Sequence, residues 1–269
     1  MGDRNQTVRA YVINLVRSPE RRENITAQLI KHGIDYEIIE AVDGRDLDLT
    51  DSQVTVDIAP SFLAADWFRP GHAACALSHL RVYRKILDDG YDRALVLEDD
   101  VTIPADLSSL ADAVAQQLVG AEVALLNFDS PQACRVSRRD AIALPSSRQL
   151  VLPIDVSQPV SGAAYVITRE ACERMNKGAL PVRAKVDNWA YFYNEGIIDR
   201  LRCVVPLAVT KDPHFGSTIG YNSDASLKAR ILAVITKHNL RVFQRIVVRR
   251  RERIWRRYTQ VEFVDEQPT

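Results

Sequence analysis

The run Ala94-Leu95-Val96-Leu97-Glu98-Asp99-Asp100-Val101 passes from four consecutive apolar residues straight into three carboxylates, and few folds can house such a junction. A continuous apolar stretch of that length suits a strand buried on both faces, inside a sheet covered by helices. Its acidic end then lies at the carboxyl edge of the sheet, where open α/β sheets bind ligands. Side chains alternate along an extended strand, so Glu98 and Asp100 point to one face and Asp99 to the other. Two carboxylates on one side can hold Mg²⁺ or Mn²⁺, whose remaining positions take water and diphosphate oxygens. A merely solvated acidic turn is the competing reading.

The flanking pattern fits such a sheet. Ala10 to Leu15 is a short apolar run, followed by Ser18-Pro19-Glu20, an N-cap, an N1 proline and a first-turn acid. Ile25 and Leu29 give the helix an apolar stripe, and Gly33 ends it before Tyr36 to Val42, so the chain opens on a βαβ unit. Val54 to Phe68 is irregular or shortly helical. From Ala73 to Leu87, apolar Ala76, Leu80, Tyr83 and Leu87 recur at helical spacing, and Asp89-Gly90 closes that helix just before the acidic strand. Further strands are expected at 123–128, 163–167 and 203–208, with helices near 107–117 and 169–176 and a loop at Leu144-Pro145-Ser146-Ser147. Alternation of this kind predicts an α/β fold with a mainly parallel sheet and helices on both faces.

After about Tyr221 the pattern becomes one long helical tail, Leu227 to Tyr258, so residues 1–220 read as the α/β domain and 221–269 as a basic amphipathic tail. The zero net charge hides an asymmetry: Arg241 to Arg257 holds eight arginines and one glutamate, a local +7 that leaves −7 elsewhere. Apolar Phe243, Ile246, Val247, Ile254, Trp255 and Tyr258 are interleaved with these arginines. Such a helix suits an anionic membrane surface, with packing on the domain as its rival and nucleic acid not expected. Four scattered cysteines without a CxxC pair read as reduced core thiols, and nothing near Met1 has the apolar core of a signal peptide. A cytoplasmic protein, peripheral on the inner face of the cytoplasmic membrane, is the expected setting.

Three other constellations could bind a ligand. Asn14-Leu15-Val16-Arg17 leads into Pro19-Glu20-Arg21-Arg22, a helix N-terminus with free N–H groups beside arginines that can fork onto phosphate or stack on a base. A capped surface helix with solvated arginines explains the same residues. Asp43, in Ala41-Val42-Asp43-Gly44, could accept hydrogen bonds from a ribose or uracil, or be a plain turn residue. His72, Cys75 and His79 share a helical face, but zinc is not expected because a fourth ligand at suitable spacing is missing. Ser78 and His79 are polar groups turned toward a ligand or satisfied within the helix.

In order and rough spacing, Ile13-Asn14-Leu15, Ser18-Pro19-Glu20-Arg21-Arg22, Ala41-Val42-Asp43-Gly44, Cys75-Ala76-Leu77-Ser78-His79 and Leu97-Glu98-Asp99-Asp100-Val101 resemble glycosyltransferase family 25. That family holds lipopolysaccharide-type bacterial galactosyltransferases and the related collagen galactosyltransferases. Gly162 to Ile167, Val186-Asp187 and Ser217-Thr218-Ile219 resemble its later motifs, and the likeness covers about residues 10 to 220. The chain departs from it at His72 and Ala74, where the family usually carries an acid and a second glycine. The resemblance implies a GT-A type, Rossmann-like, metal-dependent inverting transferase that commonly uses UDP-galactose. Glu98 to Asp100 match its metal motif, and the first strand and helix its nucleotide-binding half.

Inverting transfer needs a base for the acceptor hydroxyl and charge stabilisation of the departing diphosphate. Asp187, beside Asn188 and Trp189, is the candidate base, with a helix N-cap as its alternative role. Gly162 could let the backbone approach the donor sugar, and Asp99 orients the turn or contacts the donor. His214, in a loop, could complete a metal shell with Glu98 and Asp100. The expected partners are a UDP-sugar and a glycan or lipid-linked glycan acceptor such as a lipopolysaccharide. The rival functions are a metal-dependent phosphohydrolase and a non-catalytic sugar-nucleotide-binding module.

Overall fold

The β1 strand (Arg9–Asn14) pairs in parallel with β2 (Tyr36–Glu40) on one side and with β3 (Arg93–Glu98) on the other. In this computed structural model residues 7–48, 57–215 and 241–268 are described. Helix α1 (Pro19–Lys31) carries the chain from β1 to β2. The chain then crosses back through the short α2 (Pro60–Leu63) and the long α3 (Pro70–Asp88) to reach β3. Since β1 is followed by neighbours on opposite sides, a crevice opens at the carboxyl ends of β1 and β3, the switch point at which α/β sheets receive ligands.

The rest of the chain completes an eight-stranded sheet. In chain order come β4 (Val101–Thr102), α4 (Leu107–Gln117), β5 (Glu122–Leu125), β6 (Cys134–Ser137), β7 (Ile142–Leu144), β8 (Arg148–Val151) and β9 (Ala164–Thr168). Next are α5 (Arg169–Gly178), α6 (Trp189–Asn194), β10 (Arg200–Val205), β11 (Thr210–Lys211), α7 (Arg241–Tyr258) and β12 (Val261–Val264). The sheet order is β2-β1-β3-β9-β5-β10-β8-β7. Only β9 and β8 run against the other six strands, so the expected mainly parallel sheet is present.

Both faces are covered, as the apolar run of β3 requires. Tyr11, Ile13, Ala94, Val96, Tyr165 and Ile167 face a core built with α3, α5 and α6. Their strand neighbours Ala10, Val12, Leu95, Leu97, Ala164 and Val166 face a second core built with α1 and α4. Period-two alternation with apolar residues on both sides is what places β3 in the interior.

Several local expectations shift. Ser18 occupies the N-cap of α1 but makes no side-chain cap bond. Instead its carbonyl accepts from Asn14 Nδ2 at 3.2 Å, which ties the end of β1 to the helix. The expected loop at 144–147 is the turn of a β7–β8 hairpin, with Ser146 and Ser147 both at φ 57°, the left-handed pair that two-residue hairpins use. The basic tail does not end as a helix: after α7, β12 pairs in parallel with β6, from Val261 on Cys134 to Val264 on Ser137. Ser217 to Ile219 and residues 221–240, with the start of the tail, lie outside the described residues. Among the described residues no helix is long and apolar enough to cross a membrane.

Candidate functional site

Strand β3 stops at Glu98, and Asp99 and Asp100 form a turn before β4. The extended strand expected to run through Asp100 therefore ends two residues early. The turn nevertheless separates the acids as expected. Asp99 is buried and turned inward, where Oδ2 accepts from Asn14 Nδ2 at 2.7 Å and Oδ1 from Arg21 Nη1 at 3.0 Å. Glu98 and Asp100 instead form the wall between two adjoining depressions of about 400 and 280 Å³, a wall they share with Cys75.

The larger depression lies over the ends of β1 and β2. Leu15, Arg17, Arg21, Asp43, Arg45 and Ser78 are among its lining residues. Arg17 Nε donates to Asp43 Oδ2, and the Arg45 N–H donates to Asp43 Oδ1 at 3.0 Å. Burial acts to raise the Asp43 carboxyl, but its bonds from Arg17 and Arg45 outweigh burial and hold it below the ordinary carboxylate value. A close approach fixes this loop: a Cβ on Gly44 would stand 2.7 Å from the Gly71 nitrogen, so Gly44 lies backbone to backbone against the start of α3. Ser78 is spent internally, accepting from the Val42 N–H at 2.9 Å and donating to the Ala74 carbonyl at 2.7 Å. It positions the end of β2 on α3, with its one proton spent on the Ala74 carbonyl.

The smaller depression lies on the other side of the acids. Gly162, Lys185, Asp187, Lys211, Phe215 and Trp255 are among its lining residues. Asp187 does not cap α6: Asn188 takes that role, its side chain accepting from the Tyr191 N–H at 3.3 Å. Burial raises the Asp187 carboxyl, with Lys185 opposing, and a raised carboxyl is a stronger base. Gly162 packs closely, since a Cβ there would meet Val186 Cγ1 at 3.3 Å and the His79 ring at 3.4 Å. Trp255 comes from α7, where Arg251 donates to the carbonyls of Pro213 at 2.6 Å and Phe215 at 2.9 Å. The same loop is fastened to the acidic turn, as the Asp212 N–H donates to the Asp100 carbonyl at 2.7 Å.

The electrostatics single out Asp100. Burial, and then the neighbouring Glu98 carboxylate, push it up to about 7. Glu98 is held below its ordinary value, because His79, Lys211 and Arg21 together outweigh burial. Asp100 Oδ1 is buried and accepts no hydrogen bond among the described residues. A buried acceptor without a donor is costly, and beside a second carboxylate it fits an oxygen-seeking divalent cation. His214 is not brought to this pair: its side chain is 70% exposed and its Nδ1 lies 2.8 Å from Asp212 Oδ1. The loop turn that bonds Asp212 to His214 directs the ring outward.

Sequence reasoning passed over Cys75, Lys211 and Trp255 as parts of these walls. Cys75 was legible only as a neighbour of His79 one helical turn away, whereas Lys211 and Trp255 arrive from remote segments.

The sequence matches the model of glycosyltransferase family 25 (LPS biosynthesis protein) over residues 7–190. Over 95 residues the chain is 33% identical to procollagen galactosyltransferase 2 of Mus musculus, across 34% of this chain and 15% of that protein. It is 37% identical over 95 residues to a glycosyltransferase 25 family member of Aedes aegypti, across 34% of this chain and 16% of that one. Inactive glycosyltransferase 25 family member 3 of Mus musculus is 32% identical over 95 residues, with 34% and 16% covered. The matched stretch spans about a sixth of the length of these curated relatives.

Proposed function

The chain belongs to glycosyltransferase family 25, and we propose that it moves a sugar, galactose before others, from a UDP-sugar to a glycan hydroxyl with inversion. The observation that carries this reading is the acid wall. Glu98 and Asp100 stand between two depressions, and the oxygen Asp100 Oδ1 is buried without a hydrogen bond among the described residues. Transfer needs two bound partners that meet at one charged centre, and two depressions sharing one acidic wall supply that arrangement.

In this reading the larger depression takes the nucleotide. Arg17 and Asp43 open their mutual pair to bind diphosphate and base or ribose. Glu98 and Asp100 would hold Mn²⁺ or Mg²⁺, which when bound neutralises charge on the departing diphosphate. Arg21, whose guanidinium lies 5.4 Å from the Phe215 ring centre and 3.4 Å from Asp100, adds fixed positive charge beside it. The smaller depression takes the acceptor, with Asp187 receiving the proton of the attacking hydroxyl and Trp255 offering an aromatic face to a sugar. Burial, by raising the Asp187 carboxyl against the opposing charge of Lys185, strengthens it as a base.

On α7 the exposed Arg249, Arg250, Arg253, Arg256 and Arg257 keep a basic surface beside the acceptor side of the cleft. This supports a cytoplasmic enzyme resting on an anionic membrane and working on a lipid-linked or lipopolysaccharide-type acceptor.

The test is a panel of UDP-sugars with Mn²⁺, read as thermal stabilisation and as UDP released with and without a glycan acceptor. Stabilisation by one UDP-sugar, abolished by a chelator, and UDP release that rises with acceptor are the expected results. Binding without release would identify a non-catalytic sugar-nucleotide module, and release of inorganic phosphate a phosphohydrolase. Either result overturns the reading.

A further inference from the structure

Cys75 and His79 lie one helical turn apart on α3, so their side chains stand on one face. Glu98 meets them from the end of β3, and one ligand atom from each of the three lies within 4.8 Å of the other two. Sequence spacing pointed to His72, Cys75 and His79 and failed for want of a further ligand. The structure changes the membership. His72 Nδ1 is occupied in accepting from the Arg69 N–H at 3.0 Å, and Glu98 takes its place from another element.

The second observation is the state of His79. Its side chain is fully buried, and Nε2 makes no hydrogen bond among the described residues. Nδ1 lies 2.7 Å from the Tyr165 hydroxyl, which lies 2.8 Å from the Tyr83 hydroxyl. The chain runs either from Nδ1–H through Tyr165 to Tyr83 or from Tyr83 through Tyr165 to Nδ1, and in neither direction does it reach Nε2. Nε2 faces Glu98 Oε1 at 3.6 Å, too far for a hydrogen bond. A buried ring nitrogen left without a hydrogen bond among the described residues, facing a carboxylate oxygen beside a thiol, suits a cation that accepts nitrogen, sulfur and oxygen. With an ion on Nε2 the chain takes its first direction, and an oxygen acceptor for the far ring N–H is what metal-bound histidines commonly have.

We propose that Cys75, His79 and Glu98 form a second site for a soft or borderline ion, Zn²⁺ or Co²⁺, and that an ion there excludes the hard cation by taking Glu98. The three side chains supply one sulfur, one nitrogen and one oxygen and leave a fourth, open position of a tetrahedral ion. Zn²⁺ binds such a set far more tightly than Mn²⁺ does, so traces of it compete with an excess of the hard ion. The exclusion rests on Glu98 also serving the cation of the proposed transfer reaction, whereas the soft site itself does not.

The test titrates metal-free full-length protein with Co²⁺ alone. A near-ultraviolet thiolate-to-cobalt band together with tetrahedral visible bands is expected, and both Cys75→Ser and Cys75→Ala should lose the near-ultraviolet band. Tyr165→Phe should keep the band and weaken Co²⁺ binding by roughly 10- to 100-fold, as loss of an outer-shell partner does. In parallel, bound Mn²⁺ is followed by electron paramagnetic resonance while Zn²⁺ is added, and one equivalent should release it. Absence of the band, a band that survives Cys75→Ala, or simultaneous occupancy by Mn²⁺ and Zn²⁺ would overturn the proposal. A protein that shows the band but never binds Mn²⁺ would instead refute the hard-cation reading and leave the soft site standing.

Discussion

Asp99 and Arg21 form a buried pair whose two halves should fail unequally. Both residues are almost fully buried, at 6% and 7% exposure, and their atoms meet at 3.0 Å. Removing one partner of a buried ion pair costs about 3–5 kcal/mol, because the other charge stays behind in a poor dielectric. In Asp99→Ala the guanidinium cannot neutralise itself, although Asp100, at 3.4 Å, still faces it. The loss should therefore fall toward the low end, about 3 kcal/mol, which in a chain of this size is a melting temperature lowered by ~6–12 °C. Arg21→Met should cost less. The Asp99 carboxyl is already raised by burial and escapes its penalty by taking up a proton, so the defect of Arg21→Met should shrink as pH falls from 7 to 5. Thermal and urea unfolding of both variants at pH 7 and pH 5 make the comparison, with unchanged urea slopes showing that the same transition is observed. Equal losses at pH 7, or an Arg21→Met defect that does not recover in acid, would refute this account of the acidic turn.

Asp100→Asn should do the opposite. Burial raises this carboxyl to about 7, so its ionisation destabilises the fold above the ordinary carboxylate value, and the amide should gain on the order of 1–3 kcal/mol at pH 8, less at pH 5, while Mn²⁺ binding by paramagnetic resonance is lost. His72 is pushed down to about 4 by burial, then by Lys185 and Arg69, and its Nδ1 must stay unprotonated to accept from Arg69. Its contribution is therefore complete above about pH 6.5 and lost on acidification toward pH 4, and the pH dependence of the melting temperature should be flatter in His72→Gln across that window. Gly44→Ala forces a methyl against backbone atoms of Pro70 and Gly71, with an expected loss of about 1–3 kcal/mol and a several-fold weaker UDP-sugar affinity by calorimetry. Replacing the exposed Arg249, Arg250, Arg253, Arg256 and Arg257 by glutamine should abolish co-sedimentation with anionic vesicles at low salt, and unchanged binding would remove the membrane reading.

What could be read from the sequence follows from how local each signal is. The α4 helix was legible to the residue, and α3 to within three residues, because long apolar stripes at helical spacing need no partner to be recognised. β3 was equally plain, since only a strand covered on both faces reads as an uninterrupted apolar run. The strands β4, β11, β6 and β12 were not, being two to four residues long with partners up to more than a hundred residues away. A segment that short carries no period, and only the finished neighbour makes it a strand. At the cleft the carboxylates announced themselves by clustering, and Asn14 and Arg21 by their places at the end of β1 and in the first turn of α1. The roles of Ser78 and Asn188 were hidden because a hydroxyl or amide looks the same whether it faces a ligand or a backbone N–H. His214 misled for the related reason that its Asp212 partner is two residues away and competes with any metal.

The loop that follows β11 joins parts of the chain that share no segment. Asp212 bonds the carbonyl of Asp100 and accepts from Asn24 of α1 at 3.3 Å, Phe215 lies under Arg21, and Arg251 of α7 clasps both Pro213 and Phe215. A polypeptide cut after residue 190 would hold every acid of the turn yet lack the strand between β5 and β8, and lack this clasp. Ancestry and autonomy thus have different borders here. The stretch that carries the inherited signature is shorter than the smallest piece that can keep its acids in place, and limited proteolysis should find the cleft intact or wholly lost, with no viable half.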